Sequence, residues 1–133
     1  MIKMFLSIII LILFSLKVQC QTQSEMNQQS SDSFASADKE LNDVYKKILE
    51  KYKADTLFIN NLKISQRIWI SFRDAELSMK FPDYGPGWYG SMHPMCVASY
   101  LEELTKDRTR TLRKWLEGRI EGDGCNGSIQ DLN

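Results

Sequence analysis

The sequence is short of the residues on which most small active sites depend. It has one histidine, His93, and three cysteines, Cys20, Cys96 and Cys125, none of them in a Cys-x-x-Cys spacing. A structural zinc site needs four nitrogen or sulfur ligands, and a thiol nucleophile needs a base, so neither metal nor cysteine chemistry is expected. Net charge is absent too: 17 basic residues meet 17 acidic ones. Such a balance gives no electrostatic footprint for nucleic acid and no polybasic membrane patch. Beyond the first 20 residues there is no long apolar run, and no segment alternates in the manner of a strand. No internal repeat is visible, and no cofactor is expected.

The N-terminus has a different composition. Lys3 is followed by an apolar run from Leu6 to Phe14, interrupted only by Ser7. That run is too short to span a bilayer and fits the apolar region of a secretory signal peptide. Val18 and Cys20 occupy −3 and −1 if cleavage falls before Gln21, so residues 1–20 read as a leader. The alternative is a lipoprotein anchored through Cys20, but Lys17 and Gln19 suit a lipidation site poorly. Loss of Lys3 and Lys17 leaves 15 basic and 17 acidic residues in an exported chain without a membrane span. Residues 21–133 then read as one domain, with a core at about 33–121 and an irregular tail at 122–133. Cys96 and Cys125 remain, and in an oxidising compartment two thiols are expected to pair. Such a bridge closes a loop of about 30 residues, worth about 3–4 kcal/mol in the chain-entropy view.

The apolar positions Phe34, Ala37, Leu41, Val44, Tyr45, Ile48, Leu49 and Tyr52 have a helical period. Residues 21–32 are polar and read as a frayed entry. Ala54-Asp55-Thr56 marks a break, with Asp55 or Thr56 as cap of the next helix. That helix carries Phe58, Leu62, Trp69 and Phe72 and ends near 77–80, with Trp69 and Phe72 expected in the core. Pro82, Gly85, Pro86, Gly87 and Gly90 exclude any helix. A third helix begins around Pro94 and carries Val97, Leu101, Leu104, Arg108, Leu112 and Trp115 towards a stop at Gly118 or Gly122. The expectation is all-α: an up-down bundle of three main helices with a long Gly/Pro/aromatic loop before the last.

Polar residues recur inside this pattern. Asp38, Leu41, Asn42 and Tyr45 share one helical face, and Gln66, Trp69 and Arg73 share another. Asp38 and Arg73 are candidates for an ion pair between the first two helices. Arg108 is a second cationic partner, with Asn42, Gln66 and Thr105 completing the hydrogen bonds. A carboxylate paired with arginine has its pKa lowered and makes a poor general base at neutral pH. The network therefore reads as structural, setting helix register. The basic stretch of Lys106, Arg110, Arg113 and Lys114 reads as a solvated face balanced by Glu102, Glu103 and Asp107.

These segments carry a resemblance. Ala37-Asp38-Lys39-Glu40-Leu41-Asn42-Asp43-Val44-Tyr45, Gln66-Arg67-Ile68-Trp69 with Arg73-Asp74, Gly90-Ser91, and Leu104-Thr105 with Arg108 follow in order. Together they resemble the LprI-like lysozyme-inhibitor domain of bacterial envelope proteins over about residues 24–117. Cysteines usual in that family fall here at Gln29, Leu77 and Tyr100, so its disulfides are not carried over. The resemblance implies an exported, non-catalytic protein of the periplasm or secreted fraction, with lysozyme or another envelope protein as partner. The alternative is an accessory or structural envelope domain that binds another protein or a cell-wall component. For contact residues the loop is the candidate, because aromatic side chains dominate binding hot spots and loops present them. Tyr84, Trp88, Tyr89 and His93 are the residues expected to bind. The competing reading folds Trp88 back as a lid on the bundle.

Overall fold

The computed structural model describes residues 22–131, all of them helix, turn or irregular chain. The expected leader at 1–20, with Cys20, lies outside them. Three helices follow in order: α1 (Gln23–Lys51), α2 (Thr56–Lys80) and α3 (His93–Glu117). No helix among the described residues is long and apolar enough to cross a membrane.

Local chemistry sets the boundaries. The entry to α1 is ordered rather than frayed, because Thr22 and Glu25 form a capping box. Thr22 Oγ1 accepts from the Glu25 amide at 3.2 Å, and Glu25 Oε2 accepts from the Thr22 amide at 2.7 Å. Two of the orphan amides at the helix start are satisfied in this way. The chain breaks after Tyr52 and restarts at Asp55, whose carboxylate accepts from the Phe58 amide at 2.9 Å. Pro82, lacking an amide hydrogen, closes α2. Pro94 lies in the first turn of α3, and Gly118 stops that helix at φ 87°, a conformation that side chains with a Cβ resist.

The three helices contribute unequally. Asn27 reaches the Ser91 carbonyl at one end, and Lys51 and Tyr52 reach the Trp115 carbonyl at the other, so α1 and α3 run parallel along their lengths. The strip where they meet includes the buried small residues Ala37, Ala98, Thr105 and Thr109. Small side chains allow the helix axes to approach closely. Lower down, Leu41, Val44, Ile48 and Tyr52 of α1 join Leu112 of α3 and Leu62 of α2 in one apolar cluster. Of α2, Leu62 alone is buried; Phe58, Ile59 and Trp69 pack partly against the cluster. Phe72, expected in the core, is 49% exposed. The helix is apolar on two faces, so helical spacing could not say which one packs.

The tail is irregular but fastened. Asn126 accepts from the Ile120 amide and donates to the Ile120 and Asp123 carbonyls. The buried Tyr52 hydroxyl donates to the Trp115 carbonyl at 3.1 Å and accepts from the Gln130 amide at 3.0 Å. Trp115 Nε1 donates to Ser128 Oγ at 3.0 Å. These groups hold the tail where a cysteine bridge was expected to do so.

Candidate functional site

Residues 81–92 join α2 to α3 and fold on themselves. Asp83 Oδ1 accepts from the Gly85 amide at 3.1 Å, an Asx turn that starts the reversal. Gly85, Gly87 and Gly90 then take positive φ, and the Gly90 amide donates to the Gly87 carbonyl at 3.1 Å. Asn27 Nδ2 donates to the Ser91 carbonyl at 3.2 Å and ties the loop to α1. The result is an ordered, compact loop at one end of the bundle, around a cavity of about 490 Å³.

Its aromatics divide into two groups. Phe81, Tyr89 and His93 pack inward: Tyr89 stacks on His93 at 4.6 Å between ring centroids, and Phe81 meets both rings edge-on. Tyr89 also donates from its hydroxyl to the Pro82 carbonyl at 2.9 Å. Burial, then the neighbouring Tyr84 and Asp83, holds its phenol above the ordinary tyrosine range. Tyr84 and Trp88 face outward, 60% and 67% exposed, with their rings 5.2 Å apart. The four candidate contact residues therefore occupy two positions. Tyr89 and His93 form a base, and Tyr84 and Trp88 stand on it in solvent. Trp88 does not cover the bundle as a lid.

The polar residues do not converge on one network. Arg73 turns to its neighbour Asp74, with Nη2 at 2.8 Å and Nε at 3.0 Å from Oδ1, and lies 5.5 Å from the Trp69 ring. Asp38 instead accepts from Asn42 Nδ2 at 3.0 Å, one turn along the same helix. The expected Asp38–Arg73 pair is thus replaced by two local contacts. An adjacent carboxylate and a residue four positions on are reached without bringing a charge across a sparsely packed interface. Arg108 does cross between helices. Its Nε donates to Gln66 Oε1 at 3.0 Å and its Nη2 to Ser65 Oγ at 3.0 Å. Burial pulls the Arg108 pKa below the ordinary arginine value. Thr105 is fully buried between α1 and α3; its carbonyl accepts from Thr109, while its own hydroxyl has no partner among the described residues.

The expected disulfide does not form. Cys96 is a half-buried free thiol in the first turn of α3, and Cys125 is an exposed free thiol in the tail. The tail leaves the far end of the same helix, and Trp115 and Tyr52 fasten it there. The 21 residues from Cys96 to Glu117 span about 32 Å of helix, whereas a disulfide needs Cα atoms within about 7 Å. Pairing by count could not register that a straight helix separates the two thiols.

Two further contacts between helices, beyond those of Lys51, Tyr52 and Arg108, were not legible in the sequence. Tyr100 donates to Glu76 Oε2 at 3.0 Å, and Lys80 Nζ lies 3.6 Å from the Tyr100 ring centre, linking α2 to α3. That hydrogen bond, ahead of burial, raises the Tyr100 pKa. The position is one where the resemblance has a cysteine. The second is the Glu40–Arg113 ion pair between α1 and α3. A cleft of about 360 Å³ also opens between the lower halves of α2 and α3, with Phe58, Leu62, Leu112 and Trp115 in its lining and Arg108 at one side. No cluster of metal-ligating side chains occurs among the described residues.

The family model described as "Lysozyme inhibitor LprI" matches residues 17–112, a span that includes the aromatic loop and most of all three helices. An uncharacterized protein from Rhizobium meliloti (strain 1021) is 32% identical over 108 residues, covering 72% of this chain and 75% of that protein. No solved structure matches the chain.

Proposed function

Because the chain belongs to the LprI lysozyme-inhibitor family, we propose that it is an exported, non-catalytic protein that binds lysozyme and blocks it with the loop between α2 and α3. The observation that carries this reading is the exposure of Tyr84 and Trp88 side by side on a base formed by Phe81, Tyr89 and His93. An aromatic pair held in place before binding loses little conformational freedom on contact, which is how such residues become hot spots. The base is fixed by the Tyr89–Pro82 hydrogen bond and by the glycine turns. The apolar run from Leu6 to Phe14 after Lys3 and the match to this family support export.

A lysis assay with purified protein and lysozymes of different classes tests the reading. Saturable inhibition of at least one class at micromolar concentration is expected. Unchanged lysis by every class would leave the accessory binding role in its place.

A further inference from the structure

Among the described residues, α2 carries more exposed large apolar side chains than any other element. Leu57, Ile64, Ile68, Phe72 and Met79 are all between 46% and 72% exposed. At about 100° per residue these five fall within an arc of about 80°, so they form one stripe along the helix. The centre of the stripe lies about 110° around the helix from Leu62 and Trp69, which meet the core. Contiguous apolar surface of this kind marks an interaction site on a soluble protein.

The spacing of the stripe identifies its partner. Ile68 is its midpoint. Ile64 and Phe72 lie four positions to either side, and Leu57 and Met79 lie eleven to either side. The same holds for the smaller residues on this face, Asn61 and Ala75, at seven positions each way. A stripe symmetric about its centre matches itself when a second copy is turned end for end. Each large apolar side chain then meets another, which is the self-complementarity a two-fold interface requires. From Leu57 to Met79 the seam is about 33 Å long. Ten such side chains, five per copy, cover on the order of 1,000 Å², the size at which a specific interface begins. One rim of the stripe carries Arg67 and Asp74, one of each sign, so two copies meet without a wall of like charge.

We infer that the protein self-associates through α2, two copies packing antiparallel with the two-fold axis at Ile68. Self-association through this face is independent of lysozyme binding, because the aromatic loop lies outside the stripe.

Light scattering on the protein purified as the cell processes it, from low micromolar to near millimolar concentration, is the first test. The mass should rise to twice that of the chain. Ile68→Asp places two carboxylates against each other at the axis and should weaken association about a hundredfold or more, with unchanged far-UV circular dichroism. Ile68→Cys supplies a second readout under mild oxidation. It should form a homodimer linked through residue 68 itself, located by mass spectrometry so that Cys96 and Cys125 are told apart from it. Met79→Cys should link poorly to itself and well to Leu57→Cys in a mixture. A chain that stays monomeric throughout the range would overturn the inference. So would Met79→Cys linking to itself as readily as Ile68→Cys does, because that is the pattern of a parallel pair.

Discussion

Helices α1 and α2 are both rich in apolar residues, yet they use them in opposite ways. In α1, Ala37, Leu41, Val44 and Ile48 lie at spacings of four, three and four, and all are buried. Its other faces carry lysines, glutamates and asparagine. In α2 the apolar residues occupy two faces, and only Leu62 is buried. One helix is specified by a single stripe that fixes which face turns inward. The other carries two stripes and is held to the bundle by a few contacts: Phe58 and Leu62 at the bottom, Arg108 to Ser65 and Gln66 in the middle, and Tyr100 to Glu76 at the top. Stability is therefore concentrated between α1 and α3, and α2 is left as a surface.

That contrast can be broken by substitution. Ile48→Ala removes a side chain that is wholly inaccessible in the α1 cluster and should cost about 2–5 kcal/mol in chemical denaturation. Leu57→Ala, at 72% exposure on α2, should change the stability of dilute protein by no more than about 0.5 kcal/mol. Comparable losses at the two positions would remove the distinction.

The fastening of α2 gives an intermediate effect. Arg108→Ala deletes both hydrogen bonds to Ser65 and Gln66 and should cost about 1–2 kcal/mol. Hydrogen exchange should locate the loss, with amides of α2 exchanging faster and those of α1 little changed. Uniform acceleration across all three helices would mean that α2 is as integral as α1.

The smallest effect is expected at Asp38. Among the described residues its carboxylate bonds only to Asn42, on its own helix, so Asp38→Ala should shift stability by about 0.5 kcal/mol or less. A loss of about 3–5 kcal/mol would indicate a buried ion pair with its partner stranded. The cysteines sharpen the picture without touching stability: alkylation of native protein should label Cys125 readily and Cys96 more slowly. Complete resistance of both thiols would contradict their separation along α3.

The sequence was most readable where one physical signal acted alone. The α1 stripe and the run of Pro and Gly after α2 follow from local chemistry and stand where expected, while the cap at Asp55 rather than Thr56 and the stop at Gly118 rather than Gly122 are each one of two positions the sequence left open. The loop could be picked out by its composition, but not the division of its aromatics into an inward base and an outward pair. Tyr89 and Trp88 are adjacent, and only the folded loop assigns them opposite directions. The polar network failed for a related reason. Helical spacing places Asp38 and Arg73 on suitable faces, but it cannot see that Arg73 turns to the adjacent Asp74 instead. The disulfide failed because thiol counting ignores the length of α3.

The central claim is that binding resides in Tyr84 and Trp88 and is separable from the stability held by α1 and α3. The most direct test measures lysozyme inhibition and thermal unfolding on the same preparation of Trp88→Ala. Inhibition should weaken by about 2 kcal/mol or more, at least about thirtyfold in Kd, with little change in melting temperature. Undiminished inhibition by the variant, or a large fall in its melting temperature, would contradict the claim.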